Sequence, residues 1–437
     1  MFLERGQKEE KVQMQQAVTG YDFGKNAVQI SYCLPGAEKP ETVSQVAGEE
    51  QYLIPALLAK RTDRDLWLYG KEAAAAVEQG EAWPVADLLT KAAAQETVEV
   101  GEESYDPVAL LSLFLKKTIS LLTPVIHPDR LSAFVFTVEE VTKPVMDALF
   151  TAVSMMGLKA PKISVIGRAE SFFYYNISQP RELWMRDVMV CDFTGECLKT
   201  LHFSANRRTT PIASFVEEAV WEEVRPILWT GDEIEDNRSK MKLDARFAAV
   251  MEQQLSESQV CTVYLIGEGF AGEWYDQSLQ VLCKDRRVFL GNNLYSKGAC
   301  YAAKERLEPG SISQGYAFLG RDMLKANVGM HVSRRGKDAY LALMDAGVNW
   351  YEARKECAFL LEEENTFSLR ITPLNGKEIR EVVVTLNGLP KRPARTSRIS
   401  LKVDMIDVKT VRICMEDLGF GEFFPATHKY WEESFEL

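Results

Sequence analysis

Two aspartates carry the chemistry most legible in this chain. Asp22 lies in "TGYDFGKNAVQISYC", with Gly24 and Lys25 just after it. Asp192 lies in "VMVCDFTGECLKTLHF", followed by Gly195 and Glu196. Each stretch reads as strand, tight turn and strand, because apolar runs flank turn residues. Glycines let a turn backbone approach a ligand closely, and successive turn N–H groups form an anion nest. A carboxylate beside such a nest can hold Mg²⁺, directly or through water. The chemistry implied is a pair of hairpins around the phosphates of ATP, with Lys25 as a further point charge. The plainer alternative makes each aspartate a turn residue at a strand end.

The segments around the hairpins must position them. "LSAFVFTV" and "KISVIG" read as strands separated by the helix "KPVMDALFTAVSMMG", and a longer helix spans 107–122 with Pro107 in its first turn. "ESFFYYNIS" reads as helix. After the second hairpin come the helix "KLDARFAAVMEQQL", the strand "VCTVYLIGEG" and the helix "YSKGACYAAKERL". Each half therefore opens on an aspartate-bearing hairpin and passes through helices to further strands. After about Leu319 the period changes to two. "NTFSLRITPL", "REVVVTL", "RISLKVDM" and "VRICMED" alternate apolar and polar residues, with turns at "NGK", "NGLPKRP" and "LGFGE". An α/β part followed by an all-β part implies separate domains, 1–322 and 323–437, the second a β-sandwich.

The 437 residues carry a net charge of −12, which argues against a general nucleic-acid binder, since that would need a basic face. Eight scattered cysteines without C-x-x-C fit reduced thiols in a cytoplasmic protein. His127, His202, His331 and His428 are isolated and form no metal or triad spacing. Cys191 and Cys197 straddle the second turn as a redox pair or as small core residues. The opening "MFLERGQKEEKVQMQQ" is polar and is no signal peptide. "VALLSLFLKKTISLL" is interrupted by Lys116 and Lys117, so it reads as an amphipathic helix and not a membrane span.

"GYDFGKNAVQISYC" resembles the first phosphate hairpin of the actin-like ATPase superfamily, most closely the DnaK-type heat-shock chaperones. "VMVCDFTGECLKTLHF" is similar to their second. "VYLIGEGFAGEW" resembles their adenosine segment, and "LNGLPKRPARTSRISLKVDMIDVKTVRICMEDLGFG" the later strands of their peptide-binding sandwich. The likeness is collinear over nearly the whole chain. It implies a two-lobed actin/DnaK-type ATPase fold, with lobes at about 1–186 and 187–322, followed by a C-terminal β-sandwich. It also implies ATP or ADP with Mg²⁺ as cofactor, held by Asp22, Gly24, Lys25, Asp192, Gly195, Gly267 and Gly269. Asp22 and Asp192 would hold Mg²⁺ through water, and Glu170, the only acid in "IGRAES", would orient the attacking water.

Departures from that pattern qualify the expectation. Lys25 and Asn26 replace the two threonines of the first turn. Thr194, Glu196 and Cys197 replace residues of the second, and Glu196 would bring a carboxylate toward the phosphates, which costs roughly 1 kcal/mol in water and several in a partly dry cleft. Glu268 replaces a glycine, and Ala271 stands where the family's arginine stacks on adenine; Phe270 or Trp274 is the substitute stacker, or else core. The family's leucine-rich linker and helical lid are missing. The expectation is a DnaK-like pseudo-ATPase that serves as a chaperone-like or scaffold protein and binds a protein or peptide through the sandwich, where Leu341, Leu343 and Met344 line a groove or belong to the core. The other reading is an active Mg·ATP-dependent chaperone of the same type. No nucleic-acid or membrane partner is expected, and the basic loop "PKRPARTSR" is either a dock for an acidic partner or a solvated turn.

Overall fold

The computed structural model describes residues 17–46, 49–158, 162–207, 210–256, 258–272, 274–362, 365–374 and 378–437. The polar opening stretch and the "NGK" turn lie outside them. The chain forms two units, one of residues 1–202 with 218–314, the other of 203–217 with 315–437.

The first unit is mixed α/β. Its first sheet contains β1 (Ala17–Phe23), β2 (Ala27–Cys33), β3 (Glu41–Thr42), β4 (Leu131–Val138) and β5 (Lys162–Gly167), in the order β5-β4-β1-β2-β3. β1 pairs antiparallel with β2 and parallel with β4, and β4 pairs parallel with β5. Every residue of β1 is buried, as a central strand covered on both faces requires. One face meets α1 (Pro107–Ile119), where Tyr21 Oη and Thr118 Oγ1 lie 3.0 Å apart. α2 (Lys143–Met155) joins β4 to β5, and its N-terminus is capped by the Thr142 side chain.

The second sheet repeats the plan. β6 (Asp187–Asp192), β7 (Leu198–Asn206), β8 (Ile212–Trp221), β9 (Val260–Ile266) and β10 (Arg287–Gly291) lie in the order β10-β9-β6-β7-β8, extended by β11 (Tyr316–Leu319). β6 pairs parallel with β9, and β9 parallel with β10. Between these sheets in sequence runs α3 (Arg168–Ile177); α4 (Glu233–Ser256) connects β8 to β9, and α5 (Leu294–Leu307) follows β10. α5 belongs by sequence to the second half yet packs on β1, β2 and β4 of the first sheet. Two glycines permit this. A Cβ on Gly20 would lie 2.2 Å from the Ser296 carbonyl oxygen, and one on Gly298 would lie 2.0 Å from that of Ser171 on α3. Both separations are far inside contact distance, so β1, α3 and α5 meet backbone to backbone.

Residues 323–437 form antiparallel sheets. β12 (Ala326–Arg334), β13 (Lys337–Met344), β15 (Thr366–Pro373) and β16 (Arg380–Thr385) lie in the order β13-β12-β15-β16. β14 (Lys355–Leu360), β17 (Arg398–Met405), β18 (Thr410–Gly419) and β19 (Tyr430–Glu436) lie in the order β14-β17-β18-β19. Inward residues of both sheets share one apolar core, Leu343 and Met344 among them, with Leu341 packed at its margin. Arg392 of the basic loop is buried there in a bidentate pair with Asp417, at 2.7 and 2.9 Å. Among the described residues no helix is long and apolar enough to cross a membrane.

Candidate functional site

Asp22 and Asp192 occupy equivalent places. Asp192 is the last residue of the first strand of its sheet and Asp22 the last but one of its own, and each lies beside the end of a parallel neighbour, Asp22 level with Thr137 of β4 and Asp192 with Ile266 of β9. The carboxyl ends of parallel strands are where α/β sheets present ligand-contacting groups. The two turns face one another. Lys25 Nζ lies 3.8 Å from a Glu196 carboxylate oxygen, with both side chains largely exposed. Lys199 and Glu139 form a second bridge between the two halves. Glu196, expected to intrude on the phosphates, is 88% exposed and engaged with Lys25.

Arg168 holds the centre. It is the first residue of α3, directly after Gly167 of β5. Its Nη1 lies 3.3 Å from Asp192 Oδ2 and 3.3 Å from Thr194 Oγ1. The guanidinium carbon stands 5.0 Å over the Tyr295 ring, within cation–π range. Tyr295 Oη donates to the same Asp192 Oδ2 at 2.7 Å, and Asp192 Oδ1 accepts from Thr194 N at 3.0 Å and Thr194 Oγ1 at 2.7 Å. Both oxygens of Asp192 are thus occupied by groups of the chain itself.

Electrostatics agree with that geometry. Burial alone would lower the Arg168 pKa, but Asp192 and Asp22 together raise it above the ordinary arginine value. Burial pushes Asp22 up to about 6; Arg168 opposes this, while Asp192 and Glu139 add to it. Burial would raise Glu139 as well, yet Lys199, Arg168 and Lys25 hold it below the usual glutamate value. Burial, reinforced by Asp192, keeps Tyr295 protonated. Asp22 Oδ1, Thr137 Oγ1 and Arg168 Nε are buried with no hydrogen-bond partner.

The remaining candidates fall in two groups. Gly24 lies at the Arg168 guanidinium, where an added Cβ would stand 3.4 Å from Nη2, and Gly195 has open space around it. Gly267 and Gly269 face Phe193. Gly267 has φ +103, and a Cβ there would lie 2.4 Å from the Phe193 carbonyl carbon; one on Gly269 would lie 2.3 Å from the Phe193 ring. Phe270 and Trp274 are buried and stacked on one another at 5.9 Å, and Trp274 Nε1 donates to the Gly269 carbonyl at 2.8 Å. Both belong to the apolar core between the second sheet and α4. Glu170 is buried, and Arg306 Nη2 donates to its Oε1 at 3.0 Å. Cys191 is a free, buried thiol with its sulfur 3.6 Å from Met251 Sδ. Among the described residues no group of three His, Cys, Asp or Glu side chains could hold a metal ion.

Sequence reasoning missed Arg168, Tyr295 and Glu139. The available signal for Arg168 was a single arginine set directly behind the apolar strand "KISVIG", where nothing in the local pattern calls for a cation.

Residues 39–321 match a family described as "Family of unknown function (DUF5716) C-terminal", and residues 323–437 match a "Domain of unknown function (DUF8552)". No curated protein matches the chain. The first match covers more than half of the sequence, so the chain belongs to that family. Asp22 precedes the matched span, whereas Arg168, Asp192 and Tyr295 lie within it.

Proposed function

We propose that this DUF5716 family member is a DnaK-like pseudo-ATPase. It acts as a chaperone-like scaffold, and residues 323–437 bind a protein or peptide partner. The frame is of the actin/DnaK type. Two sheets of one strand order, each with an aspartate in the last two residues of its first strand, support that assignment.

The observation that carries the reading is Arg168. A guanidinium, together with Tyr295, already takes up Asp192, one of the two carboxylates that would have to hold a magnesium ion. Mg²⁺ demands near-octahedral oxygen ligation and keeps several waters; a buried arginine on Asp192, with Tyr295 and Thr194 on the same carboxylate, already occupies the oxygens of one of the two aspartates and offsets part of their charge. Gly267 and Gly269 serve the backbone contact with Phe193, and Phe270 and Trp274 are core residues that present no platform for adenine. The residues present do not fit Mg·ATP, and no hydrolytic step is derived through it.

The active-ATPase reading rests on one observation of its own, the partnerless Oδ1 of buried Asp22 beside partnerless Thr137 Oγ1. Phosphate release in the presence of Mg·ATP separates the two. The proposal expects wild type and Asp192→Asn to give the same background rate; turnover abolished by Asp192→Asn would establish the alternative. The scaffold role is tested separately by fluorescence anisotropy of extended apolar peptides with the full chain. Saturable binding, unchanged by ATP, is expected.

A further inference from the structure

α4 begins at Glu233, but its buried residues begin only at Leu243. The segment ahead of Leu243 holds an unusual concentration of exposed apolar side chains: Leu228 at 88%, Trp229 at 55%, Ile234 at 74% and Met241 at 75%. Within the helix, Ile234 and Met241 share a side, and exposed apolar residues that share a side mark a contact surface where scattered ones do not.

The segment is held in shape despite its exposure. Asp232 Oδ1 accepts from the N–H groups of Ile234 (2.9 Å) and Glu235 (3.3 Å). Asp236 accepts from Thr230 N, Thr230 Oγ1 and Gly231 N. Lys240 Nζ stands 5.4 Å over the Trp229 ring. A pre-ordered surface loses little conformational freedom when it is covered.

Charge along the stripe says what covers it. Ile234 and Met241 are seven positions apart and share one face. Glu233 and Glu235 flank the first, Lys240 and Lys242 flank the second, and exposed Arg238 lies between them on the same face. Acid at one end and base at the other makes the face complementary to itself, on condition that the second copy runs antiparallel. We propose that this face pairs with the same face of a second copy of the chain about a twofold axis near Asn237. Ile234 of each copy then packs on Met241 of the other, Glu235 faces Lys242, and Glu233 faces Lys240, each pair occurring twice. A parallel arrangement would set acid on acid and base on base. Each copy offers two exposed apolar side chains on this face, Ile234 and Met241, so the expected dimer is weak, in the micromolar range.

Sedimentation equilibrium of the full chain, from about 1 to 200 µM, tests this. The expected result is a mass that rises from monomer to dimer over that range, with Ile234→Glu and Met241→Glu each monomeric throughout. Glu235→Lys weakens association about tenfold, and Glu235→Lys combined with Lys242→Glu restores it to within about twofold of wild type. Positions 235 and 242 are roughly 10 Å apart along one helix, too far for the two side chains to pair directly inside a single copy. A wild-type monomer at all concentrations, a dimer indifferent to Ile234→Glu and Met241→Glu, or a double reversal without rescue would overturn the proposal.

Discussion

Arg168 Nη1 sits 3.3 Å from Asp192 Oδ2, in a buried pair that Tyr295 closes from the other side. The cation that links α3 to the second aspartate-bearing strand belongs to the chain itself. A buried ion pair is poor evidence of net stability, but removing one partner strands the other charge away from water. Arg168→Ala and Asp192→Asn should therefore each cost about 3–5 kcal/mol in urea unfolding. The double variant should cost less than the sum of the two, by about 1–3 kcal/mol, because the groups act as one network. Additive losses would mean that the two residues act independently.

Asp22 makes the opposite prediction. Its folded pKa, about 6, lies above the ordinary 3.8 because burial disfavours its charge. The native state therefore binds the proton more tightly than the unfolded state. The stabilisation is complete below about pH 4 and is lost as pH rises through 6. At pH 7.5 the ionised carboxylate is a liability, and Asp22→Asn should raise stability by on the order of 2 kcal/mol. At pH 3.5 the same substitution should be close to neutral. Thermal unfolding at the two pH values checks this; equal effects at both would remove Asp22 as the titrating group.

The glycines separate packing from ligand approach. Gly195→Ala meets no atom within 4 Å, so its unfolding free energy should stay within about 0.5 kcal/mol of wild type. Gly267→Ala puts a methyl group 2.4 Å from the Phe193 carbonyl carbon at φ +103, a conformation and a clash that together should cost about 3 kcal/mol or more. Thermal melts of the two variants give the comparison directly.

Local pattern and long-range placement account for what was legible. The strands Leu131–Val138 and Lys162–Gly167 coincide with "LSAFVFTV" and "KISVIG", because short apolar runs bounded by turn residues leave few alternatives. Both aspartates could be placed at strand ends for the same reason. α4 was read from "KLDARFAAVMEQQL", whereas it starts at Glu233; its first turns lie on no core and so lack the apolar period that marks a helix. Arg168 was missed because its partner Tyr295 comes from α5, on the far side of the second sheet in sequence. No local signal records a contact made by a helix that folds back onto the first sheet. Glu170 looked like a cleft acid for the converse reason: its partner Arg306 is 136 positions away.

In the C-terminal unit, Asp417 is the acid-sensitive group. Burial would raise its pKa, but Arg392, Thr427 and the Gly419 and Thr427 N–H groups hold it far below the carboxylate range. It contributes stability above the unfolded value of 3.8, and that contribution is lost as pH falls through the folded value. Arg392→Ala should cost about 3–5 kcal/mol at pH 7, with the deficit shrinking in acid. A deficit that is flat from pH 7 to pH 2 would show that the pair does not govern this unit.

The central claim is that Arg168 takes the place of a metal-bound nucleotide, and thermal unfolding with Mg·ATP tests it most directly. A ligand at 100 times its dissociation constant would add about 2.7 kcal/mol to the folded state. The account predicts no shift of the wild-type midpoint at millimolar Mg·ATP. A clear upward shift of wild type that is lost in Asp192→Asn would contradict it.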